Sequence, residues 1–157
     1  MVELADHMRE ADVQEVRASG GYQQPIDAVF LSVEISAQAR TAFIDDRVAA
    51  ICGVVLVRDG SLIERYFNRR CSYPGVAWAL TSQVVDLHPL LFAAASRRLL
   101  EEADWLAPYD LVCNFVSAEN TPSLRWLRWL GFEVLEPIPF GPRDLPFHPV
   151  VKERTDV

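Results

Sequence analysis

Residues 119–134 read ENTPSLRWLRWLGFEV. Asn120 or Thr121 can cap a helix here through a side-chain oxygen, and Pro122 suits its first turn, where the missing N–H costs nothing. The apolar residues that follow recur at near-helical spacing and form one wide face: Leu124, Trp126, Leu127, Trp129 and Leu130. Gly131 suits the left-handed position that ends many helices. Apolar and polar residues alternate after it, so the stretch predicts a helix, a glycine stop and a strand.

The spacing of the polar and glycine positions resembles the last strand–helix–strand motif of the GNAT superfamily of N-acetyltransferases. The matching residues are Asn120, Ser123, Gly131 and Phe132. The family usually has a tyrosine where this chain has Leu127, and in many members that tyrosine reprotonates the coenzyme A thiolate. Leucine has no transferable proton, so this role is vacant or is filled elsewhere.

The composition of the whole chain limits the classes of function. Its 157 residues suit one domain, over residues 1–157, with a core large enough to fold alone. No apolar run approaches the ~20 residues that a membrane span needs. The formal net charge of −7 argues against nonspecific binding to nucleic acid or to an anionic membrane. We therefore expect neither as a partner, and the oligomeric state stays open.

The cysteines and histidines indicate reduced thiols and no structural metal. The cysteines are odd in number and far apart, which favours a cytoplasmic protein: Cys52, Cys71 and Cys113. No signal peptide opens the chain, which favours the same compartment. The histidines are equally dispersed, without a Cys or carboxylate at metal-ligand spacing: His7, His88 and His148.

The first half of the chain predicts two helices and a hairpin. Helical periodicity covers Val2–Ser19 and Pro25–Ser36. The hairpin arms are Arg40–Ile44 and Val48–Val57, and the second arm is almost continuously apolar, as in a central strand. Residues 58–73 are polar and predicted to be irregular. The polar residues of the first helix are expected to be solvated: His7, Arg9 and Glu10.

The next strand and loop correspond to the place where GNAT enzymes hold coenzyme A. We predict a strand over Gly75–Thr81 and a helix over Pro89–Ala107. In the family this strand parts from its neighbour, and amides of the following glycine-rich loop cradle the pyrophosphate. Residues 82–89 read SQVVDLHP, without glycine, and Asp86 adds negative charge where a phosphate would approach. This departure argues against ordinary coenzyme A binding.

The resemblance nevertheless implies a set of site residues around this loop. The expected contacts to acetyl-CoA are Leu80, Thr81, Ser82, Gln83, His88, Asn120 and Ser123. Backbone amides near Leu80 to Ser82 are expected to polarise the thioester carbonyl. Asp86 and His88 are titratable and lie near the expected loop, which makes them candidates for the catalytic acid or base.

The remaining segments complete a mixed sheet. A strand is predicted over Leu111–Val116, a proline-rich tail over Pro137–Pro149, and a last strand at Val150 and Val151. Together the elements predict an α/β (α+β) fold, a single GNAT-like domain with a mostly antiparallel sheet of about six strands flanked by about four helices.

Two functions follow from the resemblance. The first is transfer of an acetyl group from acetyl-CoA to an amine of a protein or small molecule. The second is a catalytically inactive GNAT-like phage protein that binds a host protein or is associated with the virion. The missing glycines and Leu127 favour the second. The stretch His7–Asp12 resembles the first helix of GNAT-like phage proteins, and Thr81 and Ser82 near Trp78 resemble a turn in an internal virion protein of short-tailed phages.

Overall fold

The structure, a computed structural model, describes residues 1–101 and 106–154. Within them the chain forms seven helices and seven strands. The helices are α1 (Val2–Asp6), α2 (Glu10–Gly20), α3 (Pro25–Ile35), α4 (Ser61–Phe67), α5 (Val84–Leu87), α6 (Pro89–Glu101) and α7 (Thr121–Trp129). The strands are β1 (Gln38–Ile44), β2 (Arg47–Leu56), β3 (Pro74–Thr81), β4 (Leu111–Ser117), β5 (Glu133–Val134), β6 (Ile138–Phe140) and β7 (Leu145–Glu153).

The strands form one sheet, in the order β1-β2-β3-β4-β7-β5, with β6 paired to β7. Every pair is antiparallel except β3 with β4, which confirms the predicted mixed, mostly antiparallel α/β fold. Two short helices, α4 and α5, and the strand β6 were not predicted, because segments this short show too few repeats for a periodic pattern to be recognised. The predicted helix over Pro89–Ala107 corresponds to α6, and its continuation over residues 102–105 lies outside the described residues.

The prediction of one helix over Val2–Ser19 is wrong at its centre, where the chain breaks between α1 and α2. The connecting segment pairs with the end of β3: the Gln83 N–H donates to the His7 carbonyl (2.9 Å), and the Arg9 N–H donates to the Thr81 carbonyl (3.0 Å). Bonds to a distant segment here outweigh local helix propensity. The expectation that Arg9 is solvated is also wrong, since its side chain is only 12% exposed.

Residues 58–73, predicted to be irregular, contain α4. Its Ile63 and Phe67 are buried and pack against strand residues, including Leu111 and Val151. These two residues lie four apart and so share one helix face, but a helix of seven residues repeats that pattern only once.

The helix α7 has the ends that its sequence predicts. Asn120 is the N-cap, and its Oδ1 accepts a hydrogen bond from the Ser123 N–H (3.4 Å). Gly131 follows the helix with a φ of 86°, a left-handed conformation that other residues adopt only with strain. The chain then enters β5, as expected.

The strands β3 and β4 are hydrogen-bonded only near their starts. Their pairing runs from Pro74 with Leu111 to Val76 with Cys113, and beyond this the strands part. This confirms the expected parting of the two strands toward Thr81. No helix in the described ranges has both the length and the apolar character needed to cross a membrane.

Candidate functional site

The parting of β3 and β4 leaves a cavity, the slot, of about 180 Å³. Apolar side chains from the two strands, α6 and α7 form most of its wall, among them Ala77, Phe92, Leu99, Val116, Trp126 and Leu127. At its closed end the Asn114 Nδ2 donates to the Ala77 carbonyl across the gap (2.8 Å). The slot is therefore an apolar cleft that begins where the strand pairing stops.

The edge of β3 that faces the slot carries backbone polar groups. The Ser82 N–H donates to the Ala49 carbonyl of β2 (2.9 Å). Because such bonds alternate along an antiparallel pair, the N–H and C=O groups of Ala77, Ala79 and Thr81 point away from β2 and toward the slot. Within the described residues no partner is found for the N–H or C=O of Ala79, so this residue can bond an extended ligand.

Trp126 adds a second donor to the slot. Its indole Nε1–H is buried and has no acceptor within the described part of the chain. The ring packs against Phe92 at 5.2 Å between centroids. A buried N–H without an acceptor costs about 1–3 kcal/mol, which an acceptor on a ligand would offset.

Glu15 of α2 lines the slot near the end of β4, away from the point where the strand pairing stops. Its Oε2 accepts hydrogen bonds from the Asn120 Nδ2 (2.8 Å) and from the Ser117 N–H at the end of β4 (3.2 Å). Burial raises the pKa of this carboxyl to about 7, although the bond from Asn120 acts in the opposite direction. A carboxyl with a pKa near 7 can take up and release a proton at neutral pH.

Asp12, one turn earlier on the same face of α2, ties the helix to the end of β3. Its Oδ2 accepts from the Thr81 N–H (2.8 Å) and from the Thr81 hydroxyl, and its Oδ1 accepts from the Arg9 guanidinium (3.3 Å). Burial raises the pKa of Asp12, against the opposing effects of Arg9 and Thr81. With its oxygens occupied in this way, Asp12 holds α2 against the end of β3, whereas Glu15 remains the group available for chemistry.

Two further cavities adjoin the slot. The mouth, of about 520 Å³, lies between α6 and α7 and shares Asp12, Ala79, Phe92, Ser123 and Trp126 with the slot. The outer pocket, of about 270 Å³, lies on the other side of Glu15 and Asn120, which line both it and the slot. The slot thus shares wall residues with both cavities, and Glu15 and Asn120 separate it from the outer pocket.

The backbone N–H groups after β3 are occupied within the chain. The Thr81 N–H donates to the Asp12 carboxylate, the Ser82 N–H to the Ala49 carbonyl, and the Gln83 N–H to the His7 carbonyl. The Val84 N–H donates to the Ser82 hydroxyl, the Val85 N–H to the Ser82 carbonyl, and the Asp86 N–H to the Gln83 carbonyl. In the first turn of α6, Pro89 has no N–H, and Leu90 and Leu91 have no acceptor within the described residues. The loop amides of residues 81–86 are therefore occupied by internal bonds, and only those of Leu90 and Leu91 remain at the start of α6.

Three of the expected cofactor contacts lie close to the slot or the mouth. Thr81 lines the mouth, and Asn120 and Ser123 line the slot. The Ser123 hydroxyl also accepts from the Arg9 guanidinium at 3.5 Å. The amides of Thr81 and Ser82, expected to polarise a thioester, are instead bonded to Asp12 and to β2, which leaves Ala79 in that position.

The other expected site residues are not among those that line the slot. Leu80 packs in the cluster of Leu4 and Met8, and the side chain of Gln83 is exposed. Asp86 is in the mouth, 3.6 Å from the Arg9 guanidinium. His88 is 4.0 Å from Asp45 on the β1–β2 turn. Neither candidate acid or base is among the residues described as lining the slot.

Sequence reasoning missed Asp12, Glu15 and the orphan donor of Trp126. The two carboxylates are three residues apart and so share a helix face, and Val13 and Val16 flank them. That pattern is also typical of a solvated face, and only the contacts with β3 and β4 distinguish the two. Among the described residues, no group of His, Cys, Asp or Glu is arranged to hold a metal ion.

Replacing Asn120 tests the link between α7 and Glu15. We expect Asn120→Ala to lower the free energy of unfolding by about 1–3 kcal/mol, because the helix loses its cap and Glu15 loses a donor. The pKa of Glu15 should rise further for the same reason. Urea unfolding and titration of the carboxyl by NMR measure these effects. Thr121→Ala, at the neighbouring exposed position, is the control and should change stability by less than ~0.5 kcal/mol.

Comparison with known proteins places the fold. No known protein-family profile matches the chain, and no curated protein matches it in sequence. Several solved structures are similar in fold. An aminoglycoside N(6')acetyltransferase from Legionella pneumophila has a TM-score of 0.61 at 7% identity, over 91% of this chain and 79% of that one. A Bacillus subtilis acetyltransferase in complex with CoA has a TM-score of 0.58 at 11% identity, over 94% and 93%.

An acetyltransferase of the GNAT family from Streptococcus pneumoniae has a TM-score of 0.56 at 10% identity, over 85% of this chain and 76% of that one. Identities of 7–11% establish the fold alone. The chain therefore has the fold of the GNAT acetyltransferases.

Proposed function

We propose that this protein is an N-acyltransferase that moves an acetyl group from a pantetheine thioester, as in acetyl-CoA, to an amine of a small molecule or protein. The observation that carries the proposal is the position of Glu15 between the slot and the outer pocket. A thioester that enters through the mouth and an amine that enters through the outer pocket would meet at this carboxyl. Its pKa of about 7 suits a general base.

The slot fits one part of coenzyme A and not another. Its apolar wall and the unpaired groups of Ala79 and Trp126 suit the amide-bearing pantetheine arm. The diphosphate does not fit the family's usual cradle, because the amides of residues 81–86 are already bonded. The charge available to the phosphates in the wall of the mouth is that of Arg125, because Arg9 pairs with Asp12 and Asp86.

The chemistry balances with the residues present. The thioester supplies an activated carbonyl carbon; a C–N bond forms to the amine and the C–S bond breaks, with its electron pair leaving on sulfur. Glu15 takes the proton that the amine loses, and the Ala79 N–H donates toward the carbonyl oxygen. Leu127 offers no proton to the thiolate, which therefore takes one from water or from the newly protonated Glu15.

The experiment is an acyl-transfer assay with a panel of amines, covering amino acids, polyamines, aminoglycosides and lysine peptides. The protein is mixed with acetyl-CoA or with acetyl-pantetheine, and free thiol and the acetylated amine are measured. We expect both products in equal amounts for at least one class of amine. Absence of acetylated amine with every donor, in protein shown to be folded by circular dichroism, contradicts the proposal.

A second candidate is a GNAT-fold protein that binds a partner without catalysis, such as a host protein or a virion protein. The closed amides of residues 81–86 and Leu127 at the usual acid position favour it. The two candidates differ in thioester binding. A ligand at 100 times its dissociation constant stabilises the folded state by ~2.7 kcal/mol, so a thermal shift with acetyl-pantetheine supports the enzyme and its absence at millimolar concentration supports the binder.

A further inference from the structure

The mouth opens on a surface patch that combines apolar and basic side chains. Leu90 is 85% exposed and Trp129 is 46% exposed, and both line the mouth. The Arg97 guanidinium lies over the Trp129 ring, 4.0 Å from its centroid. Arg125, also in the wall of the mouth, and Arg128, three residues further along α7, share one helix face. We call these five residues the mouth patch.

The mouth patch is positive on a chain whose formal net charge is −7. The two carboxylates in the wall of the mouth, Asp12 and Asp86, both pair with Arg9. Within the described residues neither Arg125 nor Arg128 forms an ion pair. The patch is therefore complementary to an acidic surface, and exposed aromatic and arginine side chains are typical of protein interfaces.

The closed loop amides bear on the chemistry of the donor. Coenzyme A presents a diphosphate at the mouth, where the loop amides of residues 81–86 are already bonded within the chain and only those of Leu90 and Leu91 have no acceptor among the described residues. A pantetheine arm attached to a protein has a single phosphate at its base, and the rest of its donor is a protein surface. The slot accepts the arm, and the mouth patch, rather than a nucleotide site, surrounds the point where the arm emerges.

We propose that the acyl group is delivered by an acidic carrier protein that bears it on a 4′-phosphopantetheine arm and docks on the mouth patch. This inference rests on the proposed function, because it assigns a donor to the same slot. The carrier places its arm through the mouth, along Ala79, to Glu15. Its acidic surface pairs with Arg125 and Arg128, and its apolar residues cover Leu90 and Trp129.

Binding measurements with the full chain test the donor class. The probes are a bacterial acyl carrier protein loaded with acetyl-phosphopantetheine, the same carrier without its arm, acetyl-CoA and acetyl-pantetheine. By calorimetry, we expect the loaded carrier to bind at least about tenfold more tightly than either acetyl-CoA or the armless carrier, and to weaken as salt is raised.

Charge reversal separates docking from insertion of the arm. Arg125→Glu should weaken binding of the loaded carrier by about tenfold or more and leave acetyl-pantetheine binding unchanged. Arg58→Glu, an exposed arginine away from the mouth, is the matched control and should alter neither. Circular dichroism of both variants verifies folding.

The outcomes separate this inference from the proposed function. Equal or tighter binding of acetyl-CoA than of the loaded carrier, or an Arg125→Glu variant that binds the carrier as well as the parent, overturns the carrier inference. If acetyl-CoA still supports acyl transfer in that case, the proposed function stands. If no thioester binds and no amine is acylated, both fail.

Discussion

Glu15→Gln is expected to lower the rate of acyl transfer by about 10²–10⁴-fold, the usual contribution of a positioned general base. Glutamine has nearly the same shape and can still accept from Asn120 and from the Ser117 N–H, so the contact of α2 with the end of β4 and the cap of α7 should remain intact. The loss would fall on the chemical step rather than on donor binding. Steady-state kinetics with acetyl-pantetheine and the best amine of the panel measure it.

The pH dependence gives this prediction a signature of its own. The rate of the parent protein should rise with pH about a midpoint near 7, because the base acts only when deprotonated and its pKa is about 7. The Glu15→Gln variant should lack this rise. A parent profile that is flat over about 1.5 pH units on either side of that pKa would assign the base elsewhere.

The same shift in pKa affects stability in a defined direction. The folded state binds the proton of Glu15 more tightly than the unfolded state does, because the pKa of this carboxyl is about 7 in the folded protein and has its ordinary value of 4.5 in the unfolded chain. The contribution of this group to the free energy of unfolding therefore falls as pH rises from about 4.5 to about 7 and is constant above that. Glu15→Gln removes this slope. Glu10→Gln, an exposed carboxylate on the same helix, is the control and should keep both slope and activity.

Asp12→Ala is expected to lower the free energy of unfolding by about 3–5 kcal/mol. The variant leaves the Arg9 guanidinium, which is 12% exposed, without its nearest carboxylate, and leaves the Thr81 N–H and hydroxyl without their acceptor. These groups join α2 to the end of β3. Urea unfolding followed by circular dichroism measures the loss.

Two further variants check the cause. Asp12→Asn keeps an acceptor oxygen for Thr81 and leaves Arg9 with Asp86, so its cost should be smaller, about 1–3 kcal/mol. Asp27→Ala removes an exposed acid from the first turn of α3 and should cost no more than ~1 kcal/mol. If Asp12→Ala unfolds at the same urea concentration as Asp27→Ala, the bonds between α2 and β3 do not contribute the expected free energy of unfolding.

The stretch from Asn120 to Gly131 shows how far local sequence reaches. The N-cap, the apolar face and the glycine stop each depend on residues close together in the chain, so their pattern predicted α7. The spacing of the polar and glycine positions then indicated the GNAT fold. The hairpin of β1 and β2 followed from its apolar arms in the same way. The break between α1 and α2 did not, because residues 7–9 bond to the end of β3, more than seventy positions away.

The functional residues divide along the same line. Asn120 and Ser123 were predicted from their motif and do line the slot. Glu15 was not, because its partners Ser117 and Asn120 are 102 and 105 residues distant in the chain. A carboxylate on a helix has the same local sequence whether it faces water or a cavity, and only its distant neighbours decide which.

The sequence by itself determined the class of fold, since periodicity, caps and glycine positions are properties of neighbouring residues. Only the tertiary structure decided that the loop amides are occupied and that Glu15 stands between two cavities. Hydrogen bonding and burial depend on which remote segments meet, and these interactions set both the proton affinity of Glu15 and the shape of the slot.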